Sequence, residues 1–470
     1  MQQVNKAEID RIFVAAEKLR NAGELDKALT EYSRVALVAP DHWPSLFHLG
    51  CGFAQKGNLD VGVALLRRAE KINPKNAVIK NHLADHLLTQ GEISQAVKLF
   101  QASWELDSGP ENTSALLKLG RIYREDNQLD LATEYFDALV AAENGEEDAS
   151  FKRMEIGRWF RCLCYLAKGD YEEGWKDYDA RHHIPGVVVP KLEGERWTGQ
   201  PLKGKTIFLS YEQRFGDLIQ FMRFVPMLTN KGAKVVMHVP PELMRQLSQD
   251  FPDVRMLPIS EPVPAYDYYQ FVTSIPEVLK LSKQKALKQS TTYLKVQKAD
   301  RSRKVGMRPK TELKVGLVWA GKPDPDRSIS LTHYLPLLKH DLVSFYSFQL
   351  GQQREDLGGH GAGWLIKDLS GEISDFYDSS VLLKQMDLLI TIDTAIAHQA
   401  GALGVPTWLM LRYFSDWRWE LDRDDSDWYW SLRLFRQHAA GDWSEAAARM
   451  QSAFDQWVKK ETRSTRKKAG

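Results

Sequence analysis

Residues 211–228 read YEQRFGDLIQFMRFVPML, directly after the short apolar run Thr206-Ile207-Phe208-Leu209-Ser210. The run has the length and composition of a buried strand, and the segment after it opens a helical pattern, so Gly216-Asp217 falls at a strand-to-helix turn. A second such turn lies far downstream. There Leu388-Leu389-Ile390-Thr391-Ile392 runs into Asp393-Thr394-Ala395-Ile396-Ala397-His398 and then the small-residue helix Gln399-Ala400-Gly401-Ala402-Leu403. Two α/β halves, each with a polar turn at the carboxyl end of a strand, imply a cleft between them.

The chain has 470 residues, room for about three domains at roughly 150 residues each. Its formal charge is +1, with 63 basic against 62 acidic residues, so no global field recruits nucleic acid or a membrane and any anion site must be local. Cys51, Cys162 and Cys164 give neither a disulfide framework nor a zinc spacing, and read as small core residues of a reducing compartment. The start, MQQVNKAEIDRIF, lacks the charged-then-apolar order of a secretory signal. No window approaches about 18 continuous apolar residues. The expectation is a soluble cytoplasmic protein without stable membrane insertion. The basic ending KKETRSTRKKAG (459–470) is either a frayed tail or a contact for an anionic surface.

Toward the N-terminus, Gly23, Gly57 and Gly91 recur every 34 residues, as do Pro40 and Pro74. That period identifies tetratricopeptide repeats. In the second unit Leu46, Leu49, Gly50, Phe53, Gly62, Leu66, Ala69 and Pro74 fill the large, small, aromatic and proline positions of a helical hairpin. The third unit repeats it with Leu83, Ala84, Gly91, Ala96, Phe100 and Leu106; the fourth has Gly120, Asn127 and Phe136, and the fifth Cys162, Gly169 and Gly174. About five hairpins over 1–181 form an α-solenoid. Such an array either presents a concave peptide-binding face or serves as a spacer or dimerisation surface.

Pro185, Pro190, Gly194, Gly199 and Pro201 mark a connection at 182–203. Strand-helix alternation then gives a first parallel-sheet half at 204–300. A polar linker follows at 301–313, a second half at 314–440, a helix at 441–460 that is expected to return to the first half, and the tail at 461–470. The expected fold is therefore α + α/β, a solenoid followed by a pair of Rossmann-like domains.

Four places carry candidate chemistry. Asp393-Thr394-Ala395 opens a helix, where unpaired amides favour an anion; Asp393 itself would repel phosphate, so it either accepts from sugar hydroxyls or caps the helix. His398, one turn on, is either a ligand contact or a structural residue. In the turn 319–328, WAGKPDPDRS, Lys322 and Arg327 either neutralise a leaving phosphate or balance Asp324 and Asp326 on a solvated loop. Asp217 is either a general base toward an acceptor hydroxyl, with Gly216 giving the acceptor room, or a helix cap. The twelve histidines show no zinc spacing, so catalysis without a metal ion or other cofactor is expected. Trp417, Trp419, Trp428 and Trp430 are either packing or a sugar-stacking surface. Arg418 and Arg433 suit a carboxylate-bearing sugar.

With Gly216-Asp217 followed by Ile219-Gln220-Phe221, the VGLVWAGKP loop with Arg327-Ser328, and DTAIAHQAGALGVPTW at 393–408, the segment 204–458 resembles heptosyltransferase-like glycosyltransferases of the two-Rossmann-domain (GT-B) architecture. The late stretch DWRWELDRDDSDWYWSLRLFRQ (416–437) looks like the ending of bacterial proteins that fuse tetratricopeptide repeats to this transferase, among them flagellin glycosyltransferases. The resemblance implies that Asp217 is the acceptor-side base, flanked by Arg214, Gly216 and Gln220. It implies that Trp319, Gly321, Lys322, Arg327, Ser328, Asp393, Thr394, Ala395, His398 and Arg418 surround the donor. The expected activity is metal-independent, inverting transfer from a nucleotide sugar, with a nonulosonic acid as the sugar and a flagellin-like protein held by the repeats as acceptor. The rivals are transfer to lipopolysaccharide or another glycan, and a catalytically degenerate repeat scaffold.

Overall fold

The computed structural model describes residues 6–142, 149–212, 214–288, 292–297, 300, 305–306, 313–321 and 327–469, with side chains in the last helix to residue 463. Two compact units divide the chain, Met1–Arg161 and Cys162–Gly470.

In the first unit the helices pair as hairpins: Lys6–Asn21 with Leu25–Val38, Trp43–Gln55 with Leu59–Ile72, Ala77–Thr89 with Ile93–Leu106, and Ser114–Glu125 with Leu129–Ala142. Gly23, Gly57 and Gly91 have φ of 79°, 87° and 82°, the left-handed turn that glycine adopts without strain. The repeating glycine is thus the stop signal of each first helix. Asn127, φ 59°, does the same in the fourth hairpin, where asparagine tolerates that region. Small residues inside the hairpins let backbones meet. A methyl group at Gly62 would stand 2.8 Å from the Gly50 carbonyl oxygen, and one at Gly50 would stand 2.7 Å from Leu66 Cγ. Because a carbonyl cannot turn away as a side chain can, Gly62→Ala is expected to destabilise the array by about 1–3 kcal/mol. Urea denaturation followed by far-UV circular dichroism reads this as an earlier midpoint for the helical signal; an unchanged midpoint would show that the hairpin opens freely.

The division after Arg161 falls within the Ala149–Ala167 helix, ahead of residue 181 where the repeat pattern was read to end. The helix Tyr171–Lys176 belongs to the second unit for an aromatic reason. Trp175 is 2% exposed and donates from Nε1 to Leu281 O at 2.9 Å. Tyr171 stacks on Trp428 with ring centroids 5.6 Å apart.

Two parallel sheets build the second unit. The first contains β1 (Thr206–Ser210), β2 (Lys234–Val239), β3 (Val254–Pro258) and β4 (Tyr268–Phe271) in the order β3-β2-β1-β4. The second contains β5 (Leu313–Leu317), β6 (Val343–Ser347), β7 (Ile366–Asp368), β8 (Leu388–Ile392), β9 (Thr407–Leu411) and β10 (Leu432–Arg436), in the order β10-β9-β8-β5-β6-β7. Counted within the sheet this is the 3-2-1-4-5-6 order of doubly wound nucleotide-binding sheets. The stretch read as a connection also joins a sheet. Trp197 N donates to Tyr269 O at 2.8 Å and Tyr269 N to Glu195 O at 3.0 Å, a parallel bridge along the free edge of β4.

The last helix, Trp443–Ala469, corrects an expectation. Over its described side chains, residues 443–463, it packs on the second sheet, where a return to the first half was expected. Ala446, Ala447, Met450, Phe454 and Val458 form one apolar stripe buried with Phe345, Trp408 and Phe435. Asp455 fixes the polar side by accepting from Lys339 Nζ at 2.8 Å and pairing with His340 at 2.7 Å.

Candidate functional site

Strand order places the openings. In each sheet the first strand has later strands on both sides, so connections leave in opposite directions at β1/β4 and at β5/β8, and a crevice opens at the carboxyl ends there. The helix Phe215–Phe221, after β1, packs against the helix Ala395–Leu403, after β8. A methyl at Gly216 would stand 2.8 Å from His398 Cδ2, and one at Gly321, just after β5, would stand 3.2 Å from Thr394 Cγ2. The turns read from sequence as separate signals therefore touch. The room beside Gly216 is filled by His398, so the glycine serves helix packing and the structure gives no acceptor that space.

Asp217 lies in the first turn of its helix. Its Oδ2 accepts from Arg214 N at 3.3 Å, a cap, and its Oδ1 accepts from Arg418 Nη2 at 2.6 Å. Arg418 arrives from the short turn Trp417–Trp419 beyond β9. Its Nη1 donates to Asp416 Oδ1 at 2.9 Å, its Nε donates to Gln220 Oε1, and its plane lies 4.5 Å from the Trp417 ring. One guanidinium thus joins three acceptors from both halves, which its planar fork permits and an ammonium would not. Burial pushes the Asp217 carboxyl above its ordinary range, with Arg418 pulling down and Asp416 pushing up. For Asp416 burial also pushes up, but the charge and hydrogen bonds of Arg418 prevail and hold it low.

Asp393 and Thr394 stand at the end of β8. Burial, then the charge of Asp416, pushes the Asp393 carboxyl up to about 6, against the Trp419 indole, Arg327 and Arg418. Trp419 is 1% exposed and its indole bears on Asp393. His398 is buried, stacked on Trp419 at 5.4 Å, with Nδ1 3.1 Å from Tyr429 Oη. Burial and then the charge of Arg418 push its pKa down to about 3, so the ring is neutral at physiological pH.

The remaining expected residues divide. Trp319 is core: its indole donates to Asp356 Oδ2 at 2.8 Å, and Gln349 Oε1 accepts from Trp319 N at 3.1 Å and Ala320 N at 2.9 Å. Gly321 N donates to Ser328 Oγ at 3.3 Å, and Arg327 bears on Asp393. Lys322 lies outside the described residues. Ala395 begins its helix half-buried, Gln220 is buried behind Arg418, and the Arg214 side chain is exposed. Trp417 and Trp428 are packing, whereas Trp430 is 69% exposed. Arg433 lies over Phe435 at 4.9 Å, on β10.

Two groups escaped the sequence reading. Asp416 is one; its only local sign is a capping aspartate before Trp417-Arg418. The other closes the β1/β4 opening. Glu212, its side chain fully buried, accepts from Arg181 Nη2 at 2.6 Å and Nε at 3.2 Å. Arg181 also donates to Asp179 Oδ1 at 2.6 Å and Ser274 Oγ at 2.7 Å. Ion pairs thus bridge the ends of β1 and β4, and among the described residues the half-buried Asp393 and Thr394 stand at the β5/β8 opening.

Among the described residues no three His, Cys, Asp or Glu side chains cluster to hold a metal ion, and no helix is long and apolar enough to cross a membrane.

Comparisons match these two parts unequally. The model of the tetratricopeptide repeat matches residues 13–77 and 82–147, so the first unit is a tetratricopeptide-repeat array. Along most of its length the chain is similar to Protein FlbA of Caulobacter vibrioides, 24% identical over 461 residues, covering 90% of this chain and 74% of FlbA. Among solved structures, MamA is 22% identical with a TM-score of 0.32, covering 36% of this chain and 93% of MamA. BtubC from P. vanneervenii is 18% identical with a TM-score of 0.33, covering 41% of this chain and 86% of that one.

Proposed function

We propose that the chain is a cytoplasmic, metal-independent, inverting glycosyltransferase of the GT-B kind. It moves a sugar from a nucleotide donor to a serine or threonine hydroxyl of a protein held by the repeats. What carries this reading is the junction of Asp217 with Arg418 beside Asp393 and Thr394, at the carboxyl ends of strands from both sheets. Asp217 takes the acceptor hydroxyl proton as that oxygen forms its bond to the anomeric carbon. The bond from that carbon to the phosphate oxygen breaks, and its electron pair leaves with the nucleotide. The Ala395–Leu403 helix starts where the departing phosphate needs amides, with Arg327 nearby. Asp393 and the Trp419 indole beside it supply an acceptor and a donor for a sugar hydroxyl. A nonulosonic acid as sugar and a flagellin as acceptor follow from the resemblance of 204–458 to flagellin glycosyltransferases.

One observation favours the scaffold reading: both oxygens of Asp217 are engaged, one in a cap and one with Arg418. A thermal-shift titration of the full chain with CMP, UDP, GDP and ADP decides. A ligand at about 100 times its dissociation constant adds roughly 2.7 kcal/mol. Stabilisation by CMP alone supports the nonulosonic acid donor, UDP or GDP points to a hexose or hexosamine, and ADP to a heptose. No response to any of the four supports the scaffold.

A further inference from the structure

Asp416 caps the Trp417–Trp419 turn beyond β9, yet it shares a guanidinium with Asp217. Arg418 spends Nη2 on Asp217 and Nη1 on Asp416, and anchors Nε on Gln220. Arg418 is 6% exposed and cannot move toward one carboxylate without weakening its hold on the other, while Asp416 remains 37% exposed. A cation shared between two carboxylates in a poorly solvated site couples them. We propose that Asp416 is a positioning residue that, through Arg418, sets the proton affinity of Asp217, so that the acceptor-side base and the donor-side carboxylates titrate as one unit.

The proposal takes Asp217 as the base and in that respect rests on the transfer reading. Other groups bear on Asp217 from every side. Arg214 lies on its own helix, Tyr211 on the turn after β1, and Tyr178 on the segment Tyr178–His183. His398 abuts Gly216 and is held neutral. Asp393 acts one step away, on Asp416. Asp416 is the second carboxylate that accepts from the same guanidinium as Asp217.

Asp416→Asn isolates the effect. Asparagine caps a turn as well as aspartate does, so the hydrogen bond from Arg418 N to position 416, 3.1 Å here, survives while the charge is lost. Asp217 is then the carboxylate that Arg418 holds, with Gln220 and the asparagine oxygen as neutral acceptors. In the full chain labelled with side-chain carboxyl ¹³C aspartate, the Asp217 signal is identified as the one absent in Asp217→Asn. Its titration midpoint should fall by about 0.5–1 pH unit in Asp416→Asn, and Asp416→Glu, which keeps the charge, should restore it. An unchanged or raised midpoint in Asp416→Asn overturns the proposal. Because the titration needs no substrate, it separates the two ideas. A lowered midpoint in a protein that binds none of the four nucleotides keeps the coupling and removes the transfer reading, whereas nucleotide binding with an unmoved midpoint does the reverse.

Discussion

Glu212→Ala is expected to lower the stability of the second unit by about 3–5 kcal/mol, the cost of leaving a buried charge without its partner. Arg181 is 1% exposed and turns two of its nitrogens to Glu212. Asp179, itself shared with Arg196, the Tyr178 carbonyl and the Ser274 hydroxyl still accept from Arg181 after the substitution, but its closest fully buried carboxylate is gone. Urea denaturation followed by tryptophan fluorescence should show the transition at lower denaturant, and a midpoint within error of the parent would mean that water reaches Arg181. Replacing both partners, Arg181→Met with Glu212→Leu, should recover most of the loss, because a matched apolar pair leaves no orphaned charge. Burial pushes the Glu212 carboxyl up, but the Arg181 charge and the hydrogen bonds made to it hold it below its ordinary value. A lowered folded-state pKa stabilises above the unfolded value, and this stabilisation is lost as pH falls through the folded one. The difference between parent and Glu212→Ala should therefore be full at neutral pH and shrink in acid.

The second large effect is on catalysis. Asp217→Asn should slow transfer by about 10²–10⁴-fold, the usual contribution of a positioned general base, while nucleotide stabilisation in the thermal-shift titration stays near that of the parent. Asparagine can still accept from Arg214 N, and Arg418 keeps Asp416 and Gln220, so the helix start should survive. The pH dependence follows from the direction of the shift. Burial raises the Asp217 pKa, and a base works only when ionised, so the parental rate should decline on the acid side earlier than an exposed aspartate would dictate. Transfer by Asp217→Asn at the parental rate would remove Asp217 from the role of base and leave it a helix cap.

Much of this was legible in the chain before any coordinates. The 34-residue glycine period marked the hairpins because the left-handed turn after each first helix selects glycine locally. The turns at Gly216-Asp217 and Asp393-Thr394 were legible because apolar strands give way there to helical spacing. Boundaries defined by packing were not. Tyr171 and Trp175 fall inside the span 1–181 read as repeats, yet the aromatic surface around Trp428 draws them into the α/β unit. The final helix shows an apolar stripe, but a stripe does not name the sheet that it covers, and here that is the second.

The sequence by itself determined the periods, turns and element types, since these depend on residues within a few positions of one another. Only the tertiary structure decided which distant charges meet. Arg418 and Asp217 lie far apart in the chain and join at 2.6 Å, and Arg181 reaches Glu212 across a sheet opening. Pairings of this kind are set by strand order and by the close approach of Gly216 to His398, and side chains that meet only after sheets have formed leave no periodic trace in the chain.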